Sequence, residues 1–222
     1  RNNVKLKSSE KLKYVKWGIP LFLLLFCMSA IVPARALCDG LDAWWNQEVN
    51  LSGVTYGNST FVAVGESGTI LTFSDGVGWT PRTSGTTKDL TGVTYGNSTF
   101  VAWGKKGTIF TSPDCVTWTE RASGTMNDLY GVTYGNSTFV AVGYSGTIAT
   151  SSDGVTWTER ASGTMNDLYG VTYGNSTFVA VGYSGTIATS SDGVTWTPRT
   201  SGTTNDLYGV TYGNSTFVAV GY

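Results

Sequence analysis

The chain has 222 residues, 29 of them Gly, with 41% hydrophobic and 13% charged residues, a composition that excludes a disordered chain and permits a packed core. It contains no His, which rules out Ser-His-Asp and Cys-His catalysis and His-ligated metals. Three cysteines are too few for a disulfide-stapled scaffold, so packing has to supply the stability.

Residues 1–36 read as an export signal. Lys5, Lys7, Lys11, Lys13 and Lys16 form a basic region, Gly18 to Val32 is uncharged, and Ala34-Arg35-Ala36 fits a small-x-small cleavage site. The run is shorter than the roughly 20 apolar residues of a membrane span, so a cleaved signal is expected, with an uncleaved anchor as its rival. Either places the chain outside the cytoplasm: periplasmic, on the cell surface or secreted. Cleavage after Ala36 leaves 7 basic against 14 acidic residues, a net charge of −7, which disfavours nucleic acid as a partner. The only membrane contact expected is through a retained anchor.

Residues 37–52 form a short N-terminal segment in which Ala43-Trp44-Trp45-Asn46 resembles the end of an outer strand that closes a ring. Cys38 in this segment and Cys115 further on are a candidate disulfide pair in an oxidising compartment.

From residue 53 the chain is a tandem array. The phrase Gly-Val-Thr-Tyr-Gly-Asn-Ser-Thr-Phe-Val-Ala begins at Gly53, Gly92, Gly131, Gly170 and Gly209, a step of 39 residues without insertion. Repeats therefore span 53–91, 92–130, 131–169, 170–208 and, partially, 209–222. A period near 40 built only of strand and turn signals predicts an all-β propeller of four-stranded antiparallel blades, of which 53–222 supplies part of a ring. In the third repeat the expected strands are Val132-Thr133-Tyr134, Thr138 to Val142, Thr147 to Thr150, and Val155-Thr156-Trp157-Thr158. They are joined by turns at Gly135-Asn136-Ser137, Ser145-Gly146 and Ser152-Asp153-Gly154. Asn-Ser-Thr at Asn58, Asn97, Asn136, Asn175 and Asn214 matches the glycosylation sequon and also a hairpin turn.

The segment Ser151-Ser152-Asp153-Gly154-Val155-Thr156-Trp157, with counterparts Ser112 to Trp118 and Ser190 to Trp196, resembles the Asp-box of bacterial-neuraminidase-type (BNR) repeats. The copies are one residue shorter than the family pattern; Cys115 replaces Gly in the second, and Phe73 and Gly78 depart from it in the first. The resemblance covers Gly53 to Tyr222 and implies the propeller fold. It leaves function open among sialidases, photosystem II assembly factors, sortilin-like receptors and surface proteins. Asp114, Asp153 and Asp192 and the tryptophans Trp118, Trp157 and Trp196 are expected to build the turn and fill space between blades.

The resemblance to sialidases implies converging arginines at an active centre. Arg82, Arg121, Arg160 and Arg199 instead each follow an outer-strand position by the same offset, so symmetry spreads them round the rim. The third and fourth repeats differ only at Glu159/Pro198, Ala161/Thr200 and Met165/Thr204, which also argues against an asymmetric catalytic centre. No enzyme activity, cofactor or metal is expected. The candidate ligand face carries Tyr144, Tyr183, Asp128, Asp167, Tyr130 and Tyr169, beside Glu66, Lys105 and Lys106, and suits a glycan or protein ligand. The main reading is an exported, non-enzymatic binding or scaffold propeller; the alternatives are an assembly factor resembling the photosystem II family and a propeller attached to a glycoside hydrolase.

Overall fold

The computed structural model describes residues 49–74 and 78–222. The signal expected at 1–36, Cys38, the strand at Ala43-Trp44-Trp45-Asn46 and the centre of the first Asp-box copy, Asp75-Gly76-Val77, lie outside the described residues.

Four four-stranded sheets and one two-stranded sheet succeed one another, each with its strands in chain order. Blade one is β1 (Leu51–Gly57), β2 (Thr60–Gly65), β3 (Ile70–Phe73) and β4 (Thr80–Arg82). Blade two is β5 (Leu90–Gly96), β6 (Thr99–Gly104), β7 (Thr108–Ser112) and β8 (Thr119–Ala122). Blade three is β9 (Leu129–Gly135), β10 (Thr138–Gly143), β11 (Ile148–Ser151) and β12 (Thr158–Arg160). Blade four is β13 (Leu168–Gly174), β14 (Thr177–Gly182), β15 (Ile187–Ser190) and β16 (Thr197–Arg199), and β17 (Leu207–Gly213) with β18 (Thr216–Gly221) begins a fifth. These are antiparallel propeller blades at the 39-residue step of the sequence repeat.

Successive first strands pack side by side, and the closeness of that approach explains the glycine at position 53. A Cβ on Gly53 would stand 2.8 Å from the Cα of Gly92, a separation that real side chains do not reach. The second strand of blade three is apolar because both its faces are covered: Phe139, Val140, Ala141 and Val142 are all fully buried.

Each junction is asymmetric. Val140, Val142 and Ile148 of blade three meet Leu168, Phe178, Ala180, Ala188 and Trp196 of blade four in one cluster, and the same residue types meet at the junction between blades two and three. Trp103, where other repeats have Val, packs within that second junction. Its Nε1 has no partner there. Deeper in the junction, a Cβ at Gly135 would collide with the ring of Tyr173; Gly57, Gly96 and Gly174 stand in the same relation to Tyr95, Tyr134 and Tyr212. The Tyr of one blade thus fills the space that the Gly of the preceding blade leaves.

The strands differ from expectation in two places. The first strand starts three residues earlier than its Val-Thr-Tyr core, at Leu129, and includes a bulge: Val142 faces Gly131 and Gly143 faces Leu129, so Tyr130 is the extra residue. The fourth strand begins at Thr158, later than Val155, because the Asp153 carboxylate holds the N–H groups of Val155 and Thr156 in the turn. Arg160 then ties β12 to β11 through a 2.9 Å bond from Nε to Thr150 Oγ1. Arg82, Arg121 and Arg199 do likewise with Thr72, Thr111 and Thr189, one per blade.

Up-and-down chain direction puts two kinds of turn at each end of a blade. At one end the first hairpin meets the Asp-box turn of the next blade, as Asn97 Nδ2 donates to Ser152 O at 3.3 Å and Asn136 Nδ2 to Ser191 O at 3.5 Å. At the other end the loop after the second strand meets the linkers between blades: Tyr144 N donates to Asp128 O at 2.9 Å, and Ser145 N to Asp167 Oδ1 at 2.8 Å.

The Asn-Ser hairpins carry backbone strain. Asn136 and Ser137 have φ of 45° and 55°, as a type I′ turn requires, and Gly is the residue that best suits the second position. A left-handed non-Gly residue costs about 1–2 kcal/mol and Gly adds about 0.5–1 kcal/mol of unfolded-state entropy. Ser137→Gly is accordingly expected to stabilise by roughly 0.5–1 kcal/mol, seen as a higher melting midpoint by circular dichroism. An unchanged or lower midpoint contradicts the strain.

Candidate binding face and the Asp-box turns

The Asp-box turn is built around one carboxylate. Asp153 Oδ1 accepts from Val155 N and Thr156 N at 2.8 and 2.9 Å and from Ser151 Oγ at 2.9 Å, while Ser151 Oγ accepts from Gly154 N. Gly154 sits at φ 76°, and Trp157 Nε1 donates back to Gly154 O at 2.9 Å. Asp192 with Trp196 repeats the set, and Asp114 with Trp118 follows it with Cys115 at φ 56° in the Gly position. Cys115 is a buried, free thiol. Trp118, Trp157 and Trp196 are all buried, at 8 to 9% exposure, each in a junction cluster with the preceding blade. The hydrogen-bonding capacity of Asp153 is therefore directed into its own turn.

Those bonds favour the ionised form. The backbone N–H groups of Thr156 and Val155 hold the Asp153 carboxyl below the usual range, as those of Thr117 and Val116 do for Asp114 and those of Thr195 and Val194 for Asp192. A carboxylate whose folded pKa lies below its unfolded value contributes stability that is present above the unfolded pKa and lost as pH falls through the folded one. The urea midpoint is therefore expected to drop between pH 6 and pH 3, and the drop to shrink in D114N/D153N/D192N. Equal drops in the variant and the parent would assign the acid sensitivity elsewhere.

The opposite end carries the candidate ligand residues. The bulge in each first strand sets Tyr130, Tyr169 and Tyr208 at corresponding positions of adjacent blades, and their rings form a ladder: 5.7 Å between the centroids of Tyr130 and Tyr169, and 5.1 Å between Tyr169 and Tyr208, the latter pair stacked. Tyr222 continues it at 5.1 Å from Tyr208. Tyr144 and Tyr183 stand on the loops after the second strands, half exposed at 51% each. Burial raises the Tyr130 phenol above its usual range, and the negative fields of Asp167 and Asp128 add to it; Tyr169 is raised by burial and then by Asp167 and Asp206. Tyr208 is pushed up to about 12, first by its hydrogen bond with Tyr222. The rings remain neutral hydrogen-bond donors in neutral solution.

All six candidate ligand residues thus come together at one end of the blades. Asp128 and Asp167 have an architectural share as well: Asp128 Oδ1 accepts from Lys106 N at 2.8 Å, and Asp167 Oδ1 accepts from Ser145 N. Tyr208 and Tyr222, one 39-residue step beyond Tyr169 and Tyr183, extend the ladder beyond the residues expected from the sequence. Over blades one and two the same face is charged instead. Ser52 and Thr91 replace the ladder tyrosines, Lys105 Nζ lies 2.7 Å from Asp89 Oδ2, and Asn50 Nδ2 donates to Glu66 Oε2 at 3.0 Å. Among the described residues no three His, Cys, Asp or Glu side chains gather as a metal site.

No protein-family model matches the chain, and no curated protein matches it. Solved structures do. YCF48 bound to D1 peptide superposes with a TM-score of 0.62 at 16% identity, covering 79% of this chain and 62% of that one. YCF48 from Cyanidioschyzon merolae gives 0.59 at 18% identity, over 75% and 61% of the two chains. The WD40 β-propeller domain of Doa1 gives 0.62 at 14%, over 79% and 63%. The chain spans a little under two thirds of the length of each of these structures. At such identities the likeness concerns the fold, and the fold is that of a β-propeller.

Proposed function

We propose that this chain is a non-catalytic binding propeller that takes an extended protein segment on its tyrosine-lined face. The observation that carries the reading is the ladder of Tyr130, Tyr169 and Tyr208 flanked by Asp128, Asp167 and Asp206, with Tyr144 and Tyr183 half exposed beside it. Ring faces provide apolar and cation-π contacts, phenols donate to backbone carbonyls, and carboxylates accept from backbone or side-chain N–H groups. That mixture suits a peptide with basic or aromatic side chains. A structure of similar fold, YCF48, is bound to a D1 peptide, which supports a protein ligand. It also keeps open the assembly-factor role that the Asp-box resemblance implies. The Asp-box turns are, in this reading, BNR-type elements with an architectural role, and residues 1–36 export the chain so that it binds outside the cytoplasm.

Arrays of peptides and of glycans, probed with the parent chain, Y144S/Y183S and D153A, test the proposal. The parent is expected to bind peptides, the double tyrosine variant to lose at least tenfold in affinity with its fold intact, and D153A to bind normally while melting earlier. Binding confined to glycans would replace the ligand class. Normal binding by Y144S/Y183S with loss in D153A would move the site to the Asp-box end.

A further inference from the structure

Three linker aspartates, Asp89, Asp128 and Asp167, follow one another at the 39-residue step and hold the loops after the second strands in the same way. Each main-chain carbonyl accepts from the loop of the blade that follows: Lys105 N donates to Asp89 O at 3.1 Å, and Tyr144 N to Asp128 O and Tyr183 N to Asp167 O at 2.9 Å. Each Oδ1 accepts from the loop of the blade before: from Ser67 N at 3.0 Å, and from Lys106 N and Ser145 N at 2.8 Å. The second carboxylate oxygen is where the blades part. Asp89 Oδ2 receives the Lys105 ammonium at 2.7 Å. In blades three and four Tyr144 and Tyr183 stand in the place of that lysine, and neither Asp128 Oδ2 nor Asp167 Oδ2 has a hydrogen bond or an ion pair among the described residues.

The surroundings of these two oxygens are alike. Met126, Tyr130 and Tyr144 accompany Asp128, and Met165, Tyr169 and Tyr183 accompany Asp167, where Asp89 has Thr87, Thr91 and Lys105. Met126 and Met165 are 78% and 80% exposed. We infer that Asp128 and Asp167 form two equal subsites for lysine side chains of the bound segment, the ligand's ammonium groups taking at Oδ2 the place that Lys105 takes at Asp89. This rests on the reading of the tyrosine-lined face as a peptide site, and it specifies what the peptide carries. The carboxylate supplies a charge-assisted acceptor and the tyrosines electron-rich ring faces, while exposed Met and Tyr carbons offer a surface to the lysine methylenes. Tyr130 and Tyr169 lie 5.7 Å apart. An extended chain returns a side chain to the same side every roughly 6.6 Å, so lysines at alternate positions meet successive blades.

Isothermal titration of the full chain with a capped peptide bearing lysines at alternate positions, and with its norleucine counterpart, tests the two subsites. D128N and D167N keep the Oδ1 acceptor, and with it the loop contact, and remove the charge at Oδ2; E159Q removes the same charge from an exposed outer strand. The parent and E159Q are expected to bind the lysine peptide at least about tenfold more tightly than the norleucine peptide, each single Asp variant to lose roughly three- to tenfold for the lysine peptide alone, and D128N/D167N to bind both peptides equally. The parental preference should narrow as salt is raised. A preference for lysine that survives in D128N/D167N would overturn the inference by placing charge recognition elsewhere. Equal parental affinity for the two peptides, lost in Y144S/Y183S, would overturn it and leave the peptide face in place. Binding of neither peptide would also overturn it, and a blank peptide array beside that result would remove the peptide reading as well.

Discussion

The fit of a tyrosine ring into the space above a glycine of the preceding blade sets how close two blades can come, and most of the structure depends on that closeness. A four-stranded blade has little core of its own: the side chains of its second strand reach hydrophobic surroundings only when a neighbour lies on each side. The clusters accordingly form between blades, with aliphatic residues of one meeting Phe, Leu and Trp of the next. Stability in such an array is a property of junctions more than of units. The marked rise in exposure at blade one and blade five, each with one neighbouring blade among the described residues, follows from the same arrangement.

Division of labour between the two ends also has a local cause. At the Asp-box end the polar groups are consumed by the turn, with one carboxylate oxygen serving two backbone N–H groups and a serine hydroxyl. At the other end, the bulge in each first strand adds a residue that the ladder does not need, and the identity of that residue is free to change from Ser52 and Thr91 to Tyr130, Tyr169 and Tyr208. A position exempt from pairing is where repeats can diverge without loss of fold, and this is where the chemistry of the face resides.

The 39-residue step, the hairpins at Asn-Ser and the two-sided burial of the second strand were legible in the sequence, because turn residues and strand periodicity act locally. The bulge was not, since Leu-Tyr-Gly reads the same whether or not its middle residue is paired; only the register with Val142 and Gly143 settles it. The late start of the fourth strand escaped for a related reason: Val155 and Thr156 have strand-like side chains, and it is the Asp153 carboxylate that withdraws their N–H groups from pairing. The grouping of Tyr144, Tyr183, Asp128, Asp167, Tyr130 and Tyr169 followed from strand direction alone. The stacking of Tyr169 on Tyr208 needed the spacing between blades, which no single repeat contains.

A pair of alanine substitutions isolates the junction itself. Gly135 and Gly213 share the same local sequence and the same place in the first strand, but Gly135 faces the Tyr173 ring and Gly213 faces open space. Overpacking of a filled junction costs typically about 1–3 kcal/mol, so Gly135→Ala should lower the unfolding free energy by that amount, while Gly213→Ala should leave it near the parental value. Equal effects at the two positions would contradict the account, because they would place the requirement for glycine within the blade instead of between blades.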